Sequence, residues 1–261
     1  MRELVSLWTY RGVLASLARQ DLRRHHLGTA AAIAWSIVTP LVPLLIFTLV
    51  FSLGLRWPLG GAPYVFGFAA AYVPWVLLSN ALSGSTGALL THRQLVKRVR
   101  FPIEIVPAPS ILVQTVPHVV LFAGTAIACL AAGYGDVAHL TLALYFYACA
   151  VALALGAGLL LSGLAVVLPG VTQALPSVLN VAFWLTPIAW AATQLPPAGR
   201  AWLALNPASY VVAGYRHALM PTVFPAPVAA DTVAFWIIAA GLLVTGLTVF
   251  RRLRPHFWAC L

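Results

Sequence analysis

Six long apolar stretches constrain this chain more than any other feature: residues 29–55, 64–90, 105–132, 140–168, 174–194 and 232–250. A helix needs roughly 20 apolar residues to cross the hydrocarbon core of a bilayer, and each stretch is of that order. The composition agrees, at 62% hydrophobic and 8% charged; soluble domains run at about 45–50% and about 25%. The expected fold is an all-α integral membrane protein of six transmembrane helices, residues 1–261 forming a single transmembrane domain. A secretory signal is not expected, because the first apolar run begins late and is too long for an h-region. Pro40 and Pro43 should bend the first span. Gly156, Gly158, Ser162 and Gly163 in the fourth are small residues of the kind that let neighbouring helices approach.

The net charge of +10 would suit a nucleic-acid partner if it were clustered on one soluble face. Its placement says otherwise. Twelve of the fifteen Lys and Arg residues fall in three places. These are the N-terminal segment (Arg2, Arg11, Arg19, Arg23, Arg24), the loop after span two (Arg93, Lys97, Arg98, Arg100) and the C-terminal segment (Arg251, Arg252, Arg254). With six spans these share one face, and Arg56, Arg200 and Arg216 fall on the other. The excess of Lys and Arg marks the cytoplasmic side, so both termini are expected inside.

Two segments read as non-spanning. Residues 1–28 mix Leu4, Leu7, Trp8, Val13, Leu14, Leu17 and Leu22 with charges, the pattern of a helix lying in the membrane interface. Residues 195–230 are broken by Pro196, Pro197, Pro207, Pro221, Pro225 and Pro227. Their short apolar pieces, Ala201–Leu205 and Ala208–Met220, join at Asn206-Pro207 and suit re-entrant or interfacial helices; a folded outer loop is the other reading.

Several chemistries lack their residues. The P-loop needs Gly-Lys-Ser/Thr, and the chain's one lysine, Lys97, follows Val96, so energy for uphill movement must come from another subunit. The five acids, Glu3, Asp21, Glu104, Asp136 and Asp231, lie outside the depths of the spans, unlike the ionisable groups of ion-coupled transporters. His118 is the intramembrane candidate and reads as a packed, hydrogen-bonded residue. Asn80, Gln114 and Asn180 read as hydrogen-bonding groups between helices. Cys129, Cys149 and Cys260 are odd in number and far apart, which fits neither a disulfide framework nor a metal site. His25 and His26 are adjacent, so on a helix their side chains diverge.

The densest charge lies in the loop of residues 92–103. At about 100° per residue, Leu95, Val96 and Val99 share one arc and Arg93, Lys97 and Arg100 the opposite one. Phe101 precedes Pro102, which disfavours further helix. The result is a short amphipathic helix whose apolar arc meets either the membrane surface or a groove on a partner protein.

This loop, Leu95-Val96-Lys97-Arg98-Val99-Arg100-Phe101-Pro102 followed by Glu104-Ile105-Val106-Pro107, resembles the signature of a known family: the membrane (permease) subunits of ATP-driven polysaccharide exporters of the O-antigen, capsule and teichoic-acid type. The resemblance covers nearly the whole chain. Trp35-Ser36-Ile37-Val38-Thr39-Pro40, Leu205-Asn206-Pro207 and Phe250-Arg251-Arg252-Leu253 are similar to further family motifs. The segments His25-His26-Leu27-Gly28-Thr29 and Leu168-Pro169-Gly170-Val171 depart from the family's usual residues. The resemblance implies that Arg93, Leu95–Pro102 and Glu104 form a coupling helix docking on a separate ATP-binding-cassette subunit. That subunit, not this chain, binds ATP and magnesium. It also implies a homodimer in the inner membrane and an outer gate in residues 195–230, for which Asn206, Pro207, Tyr210 and Tyr215 are the candidates.

A polysaccharide needs a continuous channel, and aromatic rings offer apolar area for sugar faces together with a polar handle. Trp35, Phe47, Phe51, Tyr72, Trp75, Trp184 and Trp190 are the candidate lining, although belts of interfacial aromatics are ordinary in membrane proteins. Two other readings stay open: a related permease for lipo-oligosaccharides or drugs, and a membrane enzyme acting on lipid-linked glycans. The enzyme would need surface carboxylates, and the outer face offers Asp136 and Asp231.

Overall fold

A computed structural model describes residues 11–22, 30–54, 59, 61–94 and 102–260. Among these residues the fold is helical, and pairing outside helices is limited to one isolated bridge between Leu59 and Ala62. The helices are α1 (Arg11–Leu22), α2 (Ala30–Thr48), α3 (Tyr64–Thr91), α4 (Pro107–Val113), α5 (Thr115–Ala131), α6 (Val137–Leu140), α7 (Leu142–Val167), α8 (Gly170–Leu185), α9 (Pro197–Ala204), α10 (Pro207–Leu219) and α11 (Ala229–Cys260).

Four described segments are long and apolar enough to cross a membrane: Tyr64–Thr91, Ile103–Ala131, Val137–Val167 and Ala229–Phe257. They correspond to the second, third, fourth and sixth apolar stretches. The first stretch is helical through α2, with Pro40 and Pro43 inside, and passes into a π-helical turn at Leu49–Gly54. Its apolar helical part, Val38–Ser52, is shorter than the four. The fifth stretch is helical from its start to Leu185, inside the 16-residue α8. Pro187 explains the stop, since a residue preceding proline is driven out of helical geometry; Thr186 is extended, at φ −93° and ψ 136°.

The third span is built in pieces. A 3-10 turn at Ile103–Ile105 leads into α4, and α4 ends one residue before α5 begins, with Gln114 at the joint. Pro117 cannot donate to the carbonyl of Val113, the last residue of α4. The chain turns after α5 at Gly133, whose φ of 76° is left-handed. The amide of Tyr134 reaches back to the carbonyl of Cys129, closing the helix end as glycine-terminated helices commonly do.

The bundle is held by close backbone approach. Lipid tails are as apolar as leucine, so helices in a bilayer associate through packing and not through burial from water. The longest interface joins α7 to α11. A Cβ added to Gly156 would lie 2.8 Å from the Leu243 nitrogen, and one on Gly246 would lie 2.6 Å from the Gly156 carbonyl oxygen. Gly163 faces Phe250 in the same way. Gly156 and Gly163 thus pack as the sequence predicts. Around this seam the central core gathers Phe146, Tyr210, Tyr215 and Phe235. A second cluster joins Leu89, Ile103, Ile105, Phe250 and Phe257, with Leu14 of α1 packed on it. Cys129 and Cys149 are buried as free thiols.

Candidate functional site

A cavity of about 680 Å³ runs along α3. Its wall takes Trp35 and Thr39 from α2, Tyr72, Trp75, Ser79, Asn80 and Ser83 from α3, and Ser110 and Gln114 from the broken third span. Trp35 is 65% exposed, so its ring is free to meet a ligand or a partner. A neighbouring cavity of about 330 Å³ shares Tyr72 and Trp75 and adds Phe47, Asn180 and Trp184. Five of the seven candidate lining aromatics therefore face one of these two cavities. Phe51 stacks on Tyr64 with centroids 5.1 Å apart, and the Trp190 indole donates to the Trp184 carbonyl at 3.0 Å. The amides expected between helices do something else: Asn80 and Gln114 line the larger cavity and Asn180 the smaller.

At one end of the large cavity lies a buried polar cluster that the sequence reading missed. Asp21 of α1 takes the His92 Nε2 at 2.9 Å and the Ser110 hydroxyl at 3.3 Å. His92 closes α3 by donating its amide to the Ala88 carbonyl. The cluster ties α1 to the end of one span and the beginning of the next, on both sides of the charged loop. Leu95, Val96, Lys97, Arg98, Val99, Arg100 and Phe101 lie outside the described residues. Arg93 is exposed and Pro102 half-buried. Beyond the loop, Ile103 and Ile105 are buried, and Glu104 pairs with Arg254 of α11 at 3.3 Å.

The segment 195–230 folds as two short helices. The Asn206-Pro207 pair joins them for a local reason: Asn206 caps α10 by accepting the Ala208 amide at 3.1 Å, and Pro207 occupies the first turn, where no donor is needed. The Asn206 amide also donates to Thr186 at 3.0 Å, fixing the joint to the end of α8. Tyr210 and Tyr215 are buried. Tyr210 shares hydrogen bonds with Tyr145 and Thr232, and Tyr215 with His118 Nε2 at 2.9 Å. His118 is thus packed and hydrogen-bonded, as read from the sequence.

Charge counting placed Arg216 among the few basic residues of the opposite face. It is 4% exposed. Its guanidinium donates to the carbonyls of Gly67 at 3.0 Å, Pro187 at 2.6 Å and Ile188 at 2.8 Å, with Trp190 at 3.5 Å. The Tyr64 hydroxyl donates to the intervening Ala189 carbonyl at 3.2 Å. Four successive carbonyls released by the end of α8 therefore meet buried donors. Proline at position 187 was the one local hint that such carbonyls would need them.

Chemically, the site offers aromatic faces, hydroxyls and carboxamides along an open cavity, and among the described residues no cluster of three or more His, Cys, Asp or Glu that could hold a metal. An all-helical, multi-pass membrane protein with a polar, aromatic-walled cavity beside a broken span has the features of a permease. Residues 13–220 match the ABC-2 type transporter family, and the chain belongs to that family. It is similar to the O-antigen export system permease protein RfbA of Myxococcus xanthus, at 24% identity over 264 residues spanning 98% of each chain. It is also similar to a protein of the same name from Klebsiella pneumoniae, at 20% identity over 254 residues, 94% of this chain and 93% of that one. Membership makes it the membrane subunit of a transporter and implies an ATP-binding-cassette partner.

Proposed function

We propose that this chain is the channel-forming subunit of an exporter that carries polysaccharide, of the lipid-linked O-antigen, capsule or teichoic-acid kind, across the inner membrane. Two copies pair around the conduit, and a separate ATPase supplies the energy. The observation that carries the reading is the 680 Å³ cavity with Trp35, Tyr72 and Trp75 on its wall, because a hydroxylated polymer needs both ring faces and hydrogen-bonding groups along its path. The near full-length similarity to O-antigen export permeases supports the cargo class.

In this reading six segments cross, counting α2 and α8 with the four longer ones, and both termini lie in the cytoplasm. Residues 1–28 form the interfacial segment. Residues 92–103 form the coupling loop, its apolar arc seated on the ATPase. Residues 195–230 form the outer gate, with Asn206, Pro207, Tyr210 and Tyr215 setting its shape. The Asp21 and Glu104 contacts support the coupling role, since both flanks of the loop are fixed to other helices and a push on it would reach the spans. ATP and magnesium belong to the partner.

The test is deletion of the gene followed by glycan analysis. Accumulation of lipid-linked polymer on the inner side is expected; altered glycan structure with export intact would refute the exporter reading. Val99→Asp and Phe101→Asp should each abolish export and partner-stimulated ATP hydrolysis while the protein still inserts. Normal stimulation in both would remove the coupling role.

A further inference from the structure

The large cavity carries more information than its size. The third span breaks where it forms the wall, with Gln114 at the joint between α4 and α5. Irregular backbone at membrane depth persists where it lines a cavity, and transporter binding sites are built at such breaks. From α3 come Ser79, Asn80 and Ser83, the serines four residues apart and so on one helix face. The serine hydroxyl protons are used within the helix, Ser79 donating to the Val76 carbonyl at 3.3 Å and Ser83 to the Ser79 carbonyl at 2.8 Å. Their oxygen lone pairs remain as acceptors.

The Asn80 and Gln114 side chains are different. Among the described residues neither carboxamide is engaged by another protein group. Each presents two donors and an acceptor to the cavity. A sugar hydroxyl is both donor and acceptor, so a carboxamide matches it in either sense. A sugar carboxylate or a bridging phosphate is acceptor-only. It would find one half of each carboxamide repulsive and would meet lone pairs on both serines. The carboxylate on this wall, Asp21, is held by His92 and Ser110; an ionised carboxylate is itself acceptor-only and adds no donor for an anion.

We propose that Asn80 and Gln114 are a hydroxyl-reading pair and that the polymer passing this cavity is an uncharged polysaccharide, rich in hydroxyl or N-acetyl groups in place of carboxylates and phosphates. The proposal rests on the exporter reading above and narrows its cargo.

The experiment uses the chain in complex with its ATP-binding-cassette partner in lipid nanodiscs, with two probes of equal length: a neutral manno-oligosaccharide and an oligogalacturonate. Binding is read from tryptophan fluorescence, which Trp35 and Trp75 report. The neutral probe should bind at least tenfold more tightly. Asn80→Lys and Gln114→Lys should reverse that order. Asn80→Asp, which keeps the shape and an acceptor, should hold neutral binding within threefold and weaken galacturonate further. Equal or tighter binding of galacturonate by the unmodified complex would overturn the neutral-cargo proposal and leave the exporter reading standing. Binding of neither glycan by an ATPase-active complex would overturn both.

Discussion

Replacing Arg216 with methionine keeps much of the side chain's volume and removes every donor. The consequences can be worked from its contacts. α8 ends at Leu185, and Pro187 begins a stretch whose carbonyls have no helical partner. Arg216 supplies donors to Pro187 and Ile188 and joins them to Gly67 of α3. Each buried carbonyl left bare costs about 1–3 kcal/mol; the Gly67 carbonyl keeps its partner inside α3, so Pro187 and Ile188 together would cost roughly 2–6 kcal/mol. Against this, the mutant no longer buries a charge, and the relieved desolvation offsets part of that loss. The Arg216–Phe224 contact, 5.1 Å from guanidinium to ring centroid, is lost as well. Arg216→Lys keeps the charge but offers a compact ammonium where the structure uses a planar fork, so it should fall between parent and methionine. Unfolding in detergent, followed by tryptophan fluorescence, gives the ranking. Limited proteolysis should locate the earliest cut in residues 186–196. Arg216→Met unfolding within about 1 kcal/mol of the parent, a typical surface-to-average mutational effect, would refute the claim that these carbonyls depend on Arg216.

Other expectations follow from contacts of the same kind. Gly246→Val should destabilise the α7–α11 seam by about 1–3 kcal/mol through overpacking, because the obstructing Gly156 carbonyl is backbone; Gly241→Ala, with open space around it, should stay near parent in the same unfolding assay. Asp21→Ala leaves His92 and Ser110 buried without their acceptor, at about 1–3 kcal/mol, and faster hydrogen exchange in α1 should reveal it. Asp136 caps α6, and its carboxyl is held below the usual range by the His139 ring and then by the Ala138 amide. A lowered folded-state pKa means its stabilisation is complete above the ordinary carboxylate range and lost as pH falls through the folded value; an NMR titration of Asp136 at the ordinary value would contradict this.

The spans were legible because lipid sets a composition rule, not a pairing rule. The apolar run 64–90 became Tyr64–Thr91, and 140–168 lies within one residue of the end of Val137–Val167. Small residues announced the α7 seam for the same reason: in a bilayer, close packing is what small residues provide. The helices α9 and α10 were legible from Asn206-Pro207, a cap followed by a first-turn proline. What the composition rule concealed were interruptions inside apolar runs. Gln114 and Pro117 break the third span, and Thr186-Pro187 ends α8 well short of residue 194. Both carry a local proline signal, which hydropathy averages away.

The ionisable groups were the least legible part, and the reason is physical. Assigning sides by Lys and Arg assumes that charges face water. Asp21 instead binds partners 71 and 89 residues away, Arg216 partners 26 to 149 away, and Glu104 reaches Arg254 across 150. No periodicity relates such positions. Yet the Asp21 and Arg216 contacts share a logic: each joins a segment outside the four long spans to one of them, Asp21 to Ser110 and Arg216 to Gly67. A spanning helix satisfies its own backbone and is held by packing. A short turn such as 187–190, or a helix lying beside the bundle such as α1, lacks one or both supports and is fixed by donors and acceptors sent from elsewhere. In a chain with five acids, a buried carboxylate or guanidinium is therefore a marker of where a non-spanning segment is fastened, and these fastenings lie at the two ends of the bundle, next to the charged loop and to α9 and α10.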